Sequence, residues 1–318
     1  MTGFQNSMQY APAPGIEGDW ASANPHASML ASPGALISGP SGVTIGRFAW
    51  AGPTGIVQNN GASAMNGAGR LGFVHKTQPA LITTWLAGST MVLQPGISMV
   101  LFNRGDVFCR FAGGATPNQK VYANYADGSA LAAAAGSPPD TPNTTAGTIQ
   151  NATNATVVAS IAPVNPFDGK NLGGIMTVTA ITGTIPIGAI MSGGSTVVTG
   201  TQVLEQLSGT PGGVGVYLVS IAQTVASATL TATWGVFTAA ATQTGLYNIG
   251  DLLTGSNVAA LTQILSFLTG TGGVGTYAVT PGNTISVGQT INAYTAVETP
   301  WYVETYAAAG ELAKISVR

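Results

Sequence analysis

From residue 42 onward the apolar side chains fall in short runs separated by turn residues. Residues 43–50, 71–74, 80–86, 99–102, 107–111 and 121–125 are rich in β-branched and aromatic side chains, the composition and length of strands. Between them lie Gly52-Pro53, Asn60-Gly61, Gly67 with Gly69, Gln94-Pro95-Gly96, Gly113-Gly114 and Asp127-Gly128, which supply the positive or fixed φ that turns need. No long amphipathic helix separates the runs. The pattern predicts an all-β chain with a β-sandwich or barrel-like base domain rather than alternating strands and helices.

Residues 1–40 carry a different pattern. Pro12, Pro14, Pro25, Pro33 and Pro40 rule out a long helix, and Met8, Tyr10, Trp20, Met29 and Leu30 are scattered among glycine, alanine and serine. A loosely ordered terminus would account for the composition. A solvated tail has little use for Trp20 and Tyr10, so the favoured reading is an extended N-terminal arm that docks on a neighbouring subunit. Residues 131–170 open with an alanine run and a Gly-Ser-Pro-Pro-Asp-Thr-Pro stretch. They read as a low-complexity linker at a domain boundary.

An internal repeat follows. Gly-Thr-Pro-Gly-Gly-Val-Gly-Val-Tyr-Leu-Val at 209–219 matches Gly-Thr-Gly-Gly-Val-Gly-Thr-Tyr-Ala-Val at 270–279. Upstream, Ile187-Gly188 and Gly193 correspond to Ile249-Gly250 and Gly255, and Thr201-Gln202-Val203 to Thr262-Gln263-Ile264. Two copies with a period of about 60 residues, roughly 175–232 and 234–293, therefore fill an inserted β domain at 171–294. The glycine-rich stretch could be a loop that binds a ligand through its backbone. Glycine's access to positive φ also explains it as a tight hairpin leading into the Tyr217 or Tyr277 strand. Residues 298–305 and 312–317 return to strands with the aromatic and charged content of the first segment. They are expected to complete a base domain made of residues 41–130 plus 295–318.

Composition narrows the function. Only 6% of the 318 residues are charged and the formal net charge is −2, against about 25% charged in an average soluble domain. Hydrophobic residues make up 45%, enough to build cores. A surface of hydroxyls, amides and small side chains steers little at long range and associates with little salt dependence. Arg47, Arg70, Arg104, Arg110, Arg318 and the four lysines are scattered, whereas phosphate neutralisation needs clustered cations. No nucleic-acid partner is expected. Met1-Thr2-Gly3-Phe4-Gln5-Asn6 lacks the basic and apolar regions of a secretory signal. No window approaches the roughly 18 apolar residues of a membrane helix, so no membrane partner is expected either. The one cysteine, Cys109, forms no intrachain disulfide and reads as a small buried hydrophobe.

Groups able to do chemistry are sparse. His26 lies in the proline-rich arm and His75 at a strand end, neither beside a nucleophile elbow; His75 reads as a half-exposed strand-end residue. The eleven carboxylates are spread thinly, and Glu17-Gly18-Asp19 reads as a solvated turn. Gly67-Ala68-Gly69-Arg70-Leu71-Gly72 fits the dinucleotide-binding pattern, but no strand precedes it and Pro79 interrupts any following helix. No catalytic, metal-binding or cofactor-binding residue is expected, and the chain reads as non-enzymatic.

Three segments carry a family likeness. Asp19-Trp20-Ala21-Ser22-Ala23-Asn24-Pro25 through Gly39-Pro40-Ser41-Gly42-Val43-Thr44-Ile45-Gly46-Arg47-Phe48-Ala49-Trp50 resembles the phage structural cement proteins. So does Leu71-Gly72-Phe73-Val74-His75 followed by Ala80-Leu81-Ile82-Thr83-Thr84-Trp85-Leu86. The end of the chain, Glu298-Thr299-Pro300-Trp301-Tyr302-Val303 with Gly310-Glu311-Leu312-Ala313-Lys314-Ile315-Ser316, is similar to the last strands of that family. The resemblance covers about 1–130 and 295–318. It implies a decoration protein, made in the host bacterial cytoplasm, that sits on the outer surface of the capsid. It would clamp neighbouring major capsid protein subunits, often as a homotrimer. Phe4, Tyr10 and Trp20 of the arm, with Phe48, Trp50 and Trp85 of the base, are the expected capsid-facing or intersubunit residues. Phe48 and Trp50 fit a core equally well. The repeats depart from shorter members of the family and resemble modules of other phage structural proteins. A tail or fibre component whose repeats touch the host surface or a glycan, with Trp234, Tyr217, Tyr247 and Tyr277 as candidate platforms, is the alternative. A polysaccharide depolymerase would need paired carboxylates, and the repeats offer only Glu205 and Asp251 at unmatched positions.

Overall fold

The computed structural model describes residues 15–30, 35–52, 55–61, 70–76, 91–163, 173–194, 196–260, 262–280 and 284–317. The chain is all-β. The strands before the insert are β1 (Ala27–Ser28), β2 (Leu36–Ser38), β3 (Val43–Thr44), β4 (Phe48–Ala51), β5 (Ile56–Gln58), β6 (Arg70–Phe73), β7 (Val92–Leu93), β8 (Ser98–Met99), β9 (Phe102–Arg104), β10 (Val107–Phe111), β11 (Lys120–Asn124) and β12 (Ala130–Ala133). The insert holds β13 (Asn143–Pro163), β14 (Gly174–Thr182), β15 (Ile190–Gly193), β16 (Val203–Gly209), β17 (Gly215–Val219), β18 (Val225–Ala239), β19 (Gln243–Thr244), β20 (Leu252–Gly255), β21 (Ile264–Phe267), β22 (Gly275–Val279) and β23 (Ile285–Tyr294). β24 (Ala296–Val303) and β25 (Glu311–Val317) end the chain.

The run expected as one strand over 43–50 is broken in two. Gly46 takes φ +81° between β3 and β4, a conformation only glycine adopts cheaply, and its N–H donates to Val74 O at 2.9 Å. The expected strand at 80–86 lies outside the described residues.

The base combines a seven-stranded sheet, ordered β1-β9-β6-β4-β5-β2-β8, with a closed five-stranded barrel, β10-β12-β11-β24-β25. β25 runs antiparallel to β10, pairing Ile315 with Val107 and Ala313 with Cys109, and β24 pairs with β11. Segments on either side of the insert thus meet in one barrel. β4 shows how sheet and barrel share their cores. Phe48 and Trp50 point into the barrel core with Phe111, Trp301 and Ile315, while Ala49 and Ala51 face a second core with Val43, Val57 and Leu101. Alternation along one strand places its odd and even residues in different cores. Trp301 satisfies its indole N–H by donating to Gly105 O at 3.1 Å, as buried tryptophans usually do.

Residues 131–170, expected as a linker, instead contain β12 and the 21-residue β13. Ala155, Val157, Ala159 and Ile161 of β13 are buried and Thr156 and Val158 exposed, a period-two pattern written in small side chains. β13 and the 15-residue β18 pair along most of their length and form the spine of the insert. In the first unit, β13 also pairs with β14, β14 with β17, β17 with β16, and β15 with β18. In the second unit the remaining part of β18 takes the place of β14: it pairs with β22, β22 with β21, β13 with β23, and β20 with β23.

Backbone bonds recur from unit to unit. Gly188 N donates to Val203 O, and Gly250 N to Ile264 O, both at 2.8 Å; Met191 N donates to Thr201 O, and Leu253 N to Thr262 O, both at 2.7 Å. The glycine-rich stretches are hairpins whose Gly213 and Gly273 carbonyls accept from the Tyr217 and Tyr277 hydroxyls. Each unit keeps its own core, one around Tyr217 and Met191 and the other around Tyr277, Tyr247 and Phe237.

Candidate interaction surfaces

The segment 15–30 crosses the base and is pinned there by Trp20. Its backbone bridges to Val107 of β10. Its indole is stacked between both histidines of the chain: His26 at 4.2 Å and His75 at 4.0 Å between ring centroids, interplanar angles 23° and 25°. Phe102 closes the cluster edge-on at 4.9 Å. Each such pair contributes about 1 kcal/mol beyond the area it buries. Ahead of the clamp Gly18 N donates to Phe108 O and the Arg110 guanidinium pairs with Glu17 at 2.9 Å. Beyond it, the Asp106 carboxylate accepts from Ser22 Oγ and Asn24 Nδ2, both at 2.6 Å.

His75 is buried, 8% exposed, rather than the half-exposed strand-end residue expected. Its ring nitrogens have no hydrogen-bond partner among the described residues. Burial pushes its pKa below the ordinary value, against the opposing pull of Asp19, so it stays neutral at pH 7. Nothing in the sequence could reveal the stack, because its members are contributed by three separate segments.

Trp20 is thus half-buried within its own chain. Phe48 and Trp50 are 0% and 2% exposed and belong to the barrel core, which corrects their expected role at an interface: their alternation on β4 turns them inward. Phe4, Tyr10 and Trp85 lie outside the described residues.

The base carries ion pairs. Arg47 pairs with Asp127 at 2.6 Å, and Lys120 reaches Glu298 at 3.7 Å while lying over the Tyr302 ring at 3.9 Å. Residues 171–294 contain no lysine or arginine and two carboxylates, Glu205 and Asp251, of which Asp251 is buried. In place of ions the insert exposes apolar side chains at matched hairpin positions: Leu207 and Val214 in the first unit, Leu268 and Val274 in the second. The aromatic candidates for a glycan platform, Trp234, Tyr217, Tyr247 and Tyr277, are all buried.

Among the described residues no three His, Cys, Asp or Glu side chains gather as a metal site would require. Cys109 is buried against Gly46 O, and burial raises its thiol pKa well above the ordinary range, leaving it unreactive. The glycines at 67 and 69 lie outside the described residues, and the rest of that motif, from Arg70, is strand β6.

A family model described as XM1 gp53 minor capsid protein matches residues 4–205. That span takes in the Trp20 clamp, the seven-stranded sheet, three of the five barrel strands and about half of the first unit. No curated protein and no solved structure matches the chain.

Proposed function

This chain belongs to the XM1 gp53 minor capsid protein family, and from that premise we propose that it is a decoration protein binding the outside of the mature phage head. The family gives it a structural role in the capsid of the virion. The finer reading is that it strengthens contacts between major capsid protein subunits, acts as a homotrimer, and carries out no reaction.

The observation that carries this reading is the Trp20 clamp. It fixes one end of the N-terminal segment on the base barrel, so the residues that precede it in sequence, Phe4 and Tyr10 among them, start from an anchored point. An arm anchored at one end loses less entropy when its other end docks on a neighbour. The low charge supports the same reading, since a shell component repeated many times gains avidity from modest uncharged contacts. A host-contacting tail or fibre role finds its support in the exposed apolar hairpin tips at Val214 and Val274, but its aromatic candidates are buried.

The test is to add purified protein to heads that lack it and image them by cryo-electron microscopy. Density at regular positions on the expanded shell, absent from unexpanded proheads, is the expected result. No density on heads, with binding at the tail instead, overturns the decoration reading.

A further inference from the structure

The chain passes between base and insert twice, near residue 140 and near residue 295, and both passages meet at one carboxyl group. Asp251 precedes β20 and is 1% exposed. Its Oδ2 accepts from Asn248 N at 2.8 Å, whereas its Oδ1 has no hydrogen-bond partner of good geometry among the described residues. The Thr295 hydroxyl, which interacts with this carboxyl, is also directed at Asp140 O, at 3.5 Å.

Around this group the second unit is seated on the base. Gly250 approaches Ala126 so closely that a Cβ would come within 2.5 Å of the Ala126 Cα. Leu252 and Tyr294, which pair across β20 and β23, pack against the barrel core. Tyr125 N donates to Thr295 O at 2.9 Å, and Ala293 N to Pro142 O at 2.8 Å.

The first unit makes the same local turn with an alanine. Val203 N donates to Ala189 O where Ile264 N donates to Asp251 O, so the unit's fold does not need a carboxyl there. The acidic side chain occurs in the copy that seats on the base.

We propose that Asp251 makes the base–insert joint proton-sensitive: its neutral carboxyl lets the second unit seat on the barrel, and its carboxylate loosens that seat. Among the described residues, the groups facing it offer no cation. Asp140 lies on one passage and repels it, and Tyr247 faces it from within the second unit. On the base side Tyr125 is neutral and Asp127 is held by Arg47. Burial, reinforced by Asp140, pushes the Asp251 pKa up to about 6. A group whose pKa is raised on folding stabilises the seated form fully below its unfolded value, and that stability is lost as pH rises through the folded value. The seat is therefore tightest below about pH 4, loosens as pH rises from there, and is fully loose above about pH 6.

Hydrogen exchange tests this on the full-length protein, read as protection corrected for intrinsic rate in peptides covering 121–127 and 247–254. Wild type is expected to lose protection about tenfold between pH 5 and pH 8, with the loss levelling off just above pH 6. Asp251→Asn and Asp251→Ala, the second copying the first unit, should keep high protection throughout. Asp140→Asn should keep the transition but lower its midpoint. Protection in wild type that does not vary with pH, or a transition that survives in both Asp251 variants, overturns the proposal. None of these outcomes depends on what the base binds.

Discussion

Gly128 and Gly136 take nearly the same backbone conformation, φ +69° and +71°, in very different surroundings. A Cβ at Gly136 would meet nothing within 4 Å, whereas at Gly128 it would lie 1.9 Å from Phe48 O. Alanine at either site incurs a left-handed strain of about 1–2 kcal/mol and recovers about 0.4–1 kcal/mol from a less flexible unfolded chain. Gly136→Ala should therefore cost about 1 kcal/mol. Gly128→Ala must in addition push away a backbone carbonyl. That carbonyl accepts from Asn59 Nδ2 at 2.8 Å, and Phe48 N donates to Gly128 O at 2.8 Å. Overpacking of this kind costs about 1–3 kcal/mol, and each of the two weakened hydrogen bonds about 1 kcal/mol more, so with the strain the expected total is about 4–6 kcal/mol. Because base and insert need not unfold together, the assay must report on the base alone. Cys109, the one cysteine and 1% exposed, supplies the probe: its rate of alkylation across a denaturant series follows opening of the barrel core. Equal costs for the two variants, within about 0.5 kcal/mol, would refute the steric argument and leave only strain.

Other expectations follow from the same geometry. Trp20→Ala removes three ring contacts and should release the 15–30 segment, raising proteolysis between residues 20 and 30 while leaving Cys109 protected. His75 has a folded pKa below its unfolded value, so the stability it contributes is present above about pH 6.5 and is lost as pH falls; His75→Phe should flatten that acid-side loss in thermal unfolding. Arg47→Ala should cost no more than about 1 kcal/mol, because the Arg47–Asp127 pair is largely solvated; a larger loss would mean the pair orders the turn at residues 127–129.

Much of the base was legible because its signals are local. Val107–Phe111 appears as a strand with the bounds the apolar run marks, and turns fall at the expected 94–96, 113–114 and 127–128 stretches. What escaped the sequence was long-range or written in small side chains. β13 is built from threonine, alanine, asparagine and valine, so its period-two alternation looks like low complexity until its partners are seen. The double burial of β4 was hidden because Ala49 and Ala51 are too small to advertise a second core. The stack on Trp20 and the seat at Asp251 join residues far apart in sequence, and no spacing rule connects them.

The shared spine makes a last prediction about the insert. A repeat of about 60 residues suggests two modules that could unfold one after the other. The pairing argues otherwise. β13 and β18 each run through both units, so neither unit owns a complete sheet. Opening the second unit strips partners from residues 143–150 and 234–239, and with them the continuation of the strands on which the first unit is built. Trp234 of β18 sits in the core of the first unit, and Ala278 of β22 joins it there, so the boundary itself is packed. Leu265 of the second unit also presses on Gly188 of the first, where a Cβ would come within 2.3 Å of it. Pulling the protein between its two passages, at residues 140 and 295, should therefore release the insert in a single cooperative event. Two separate events of similar length would mean that the spine contributes less than the individual cores, and that the units behave as independent domains despite the strands they share.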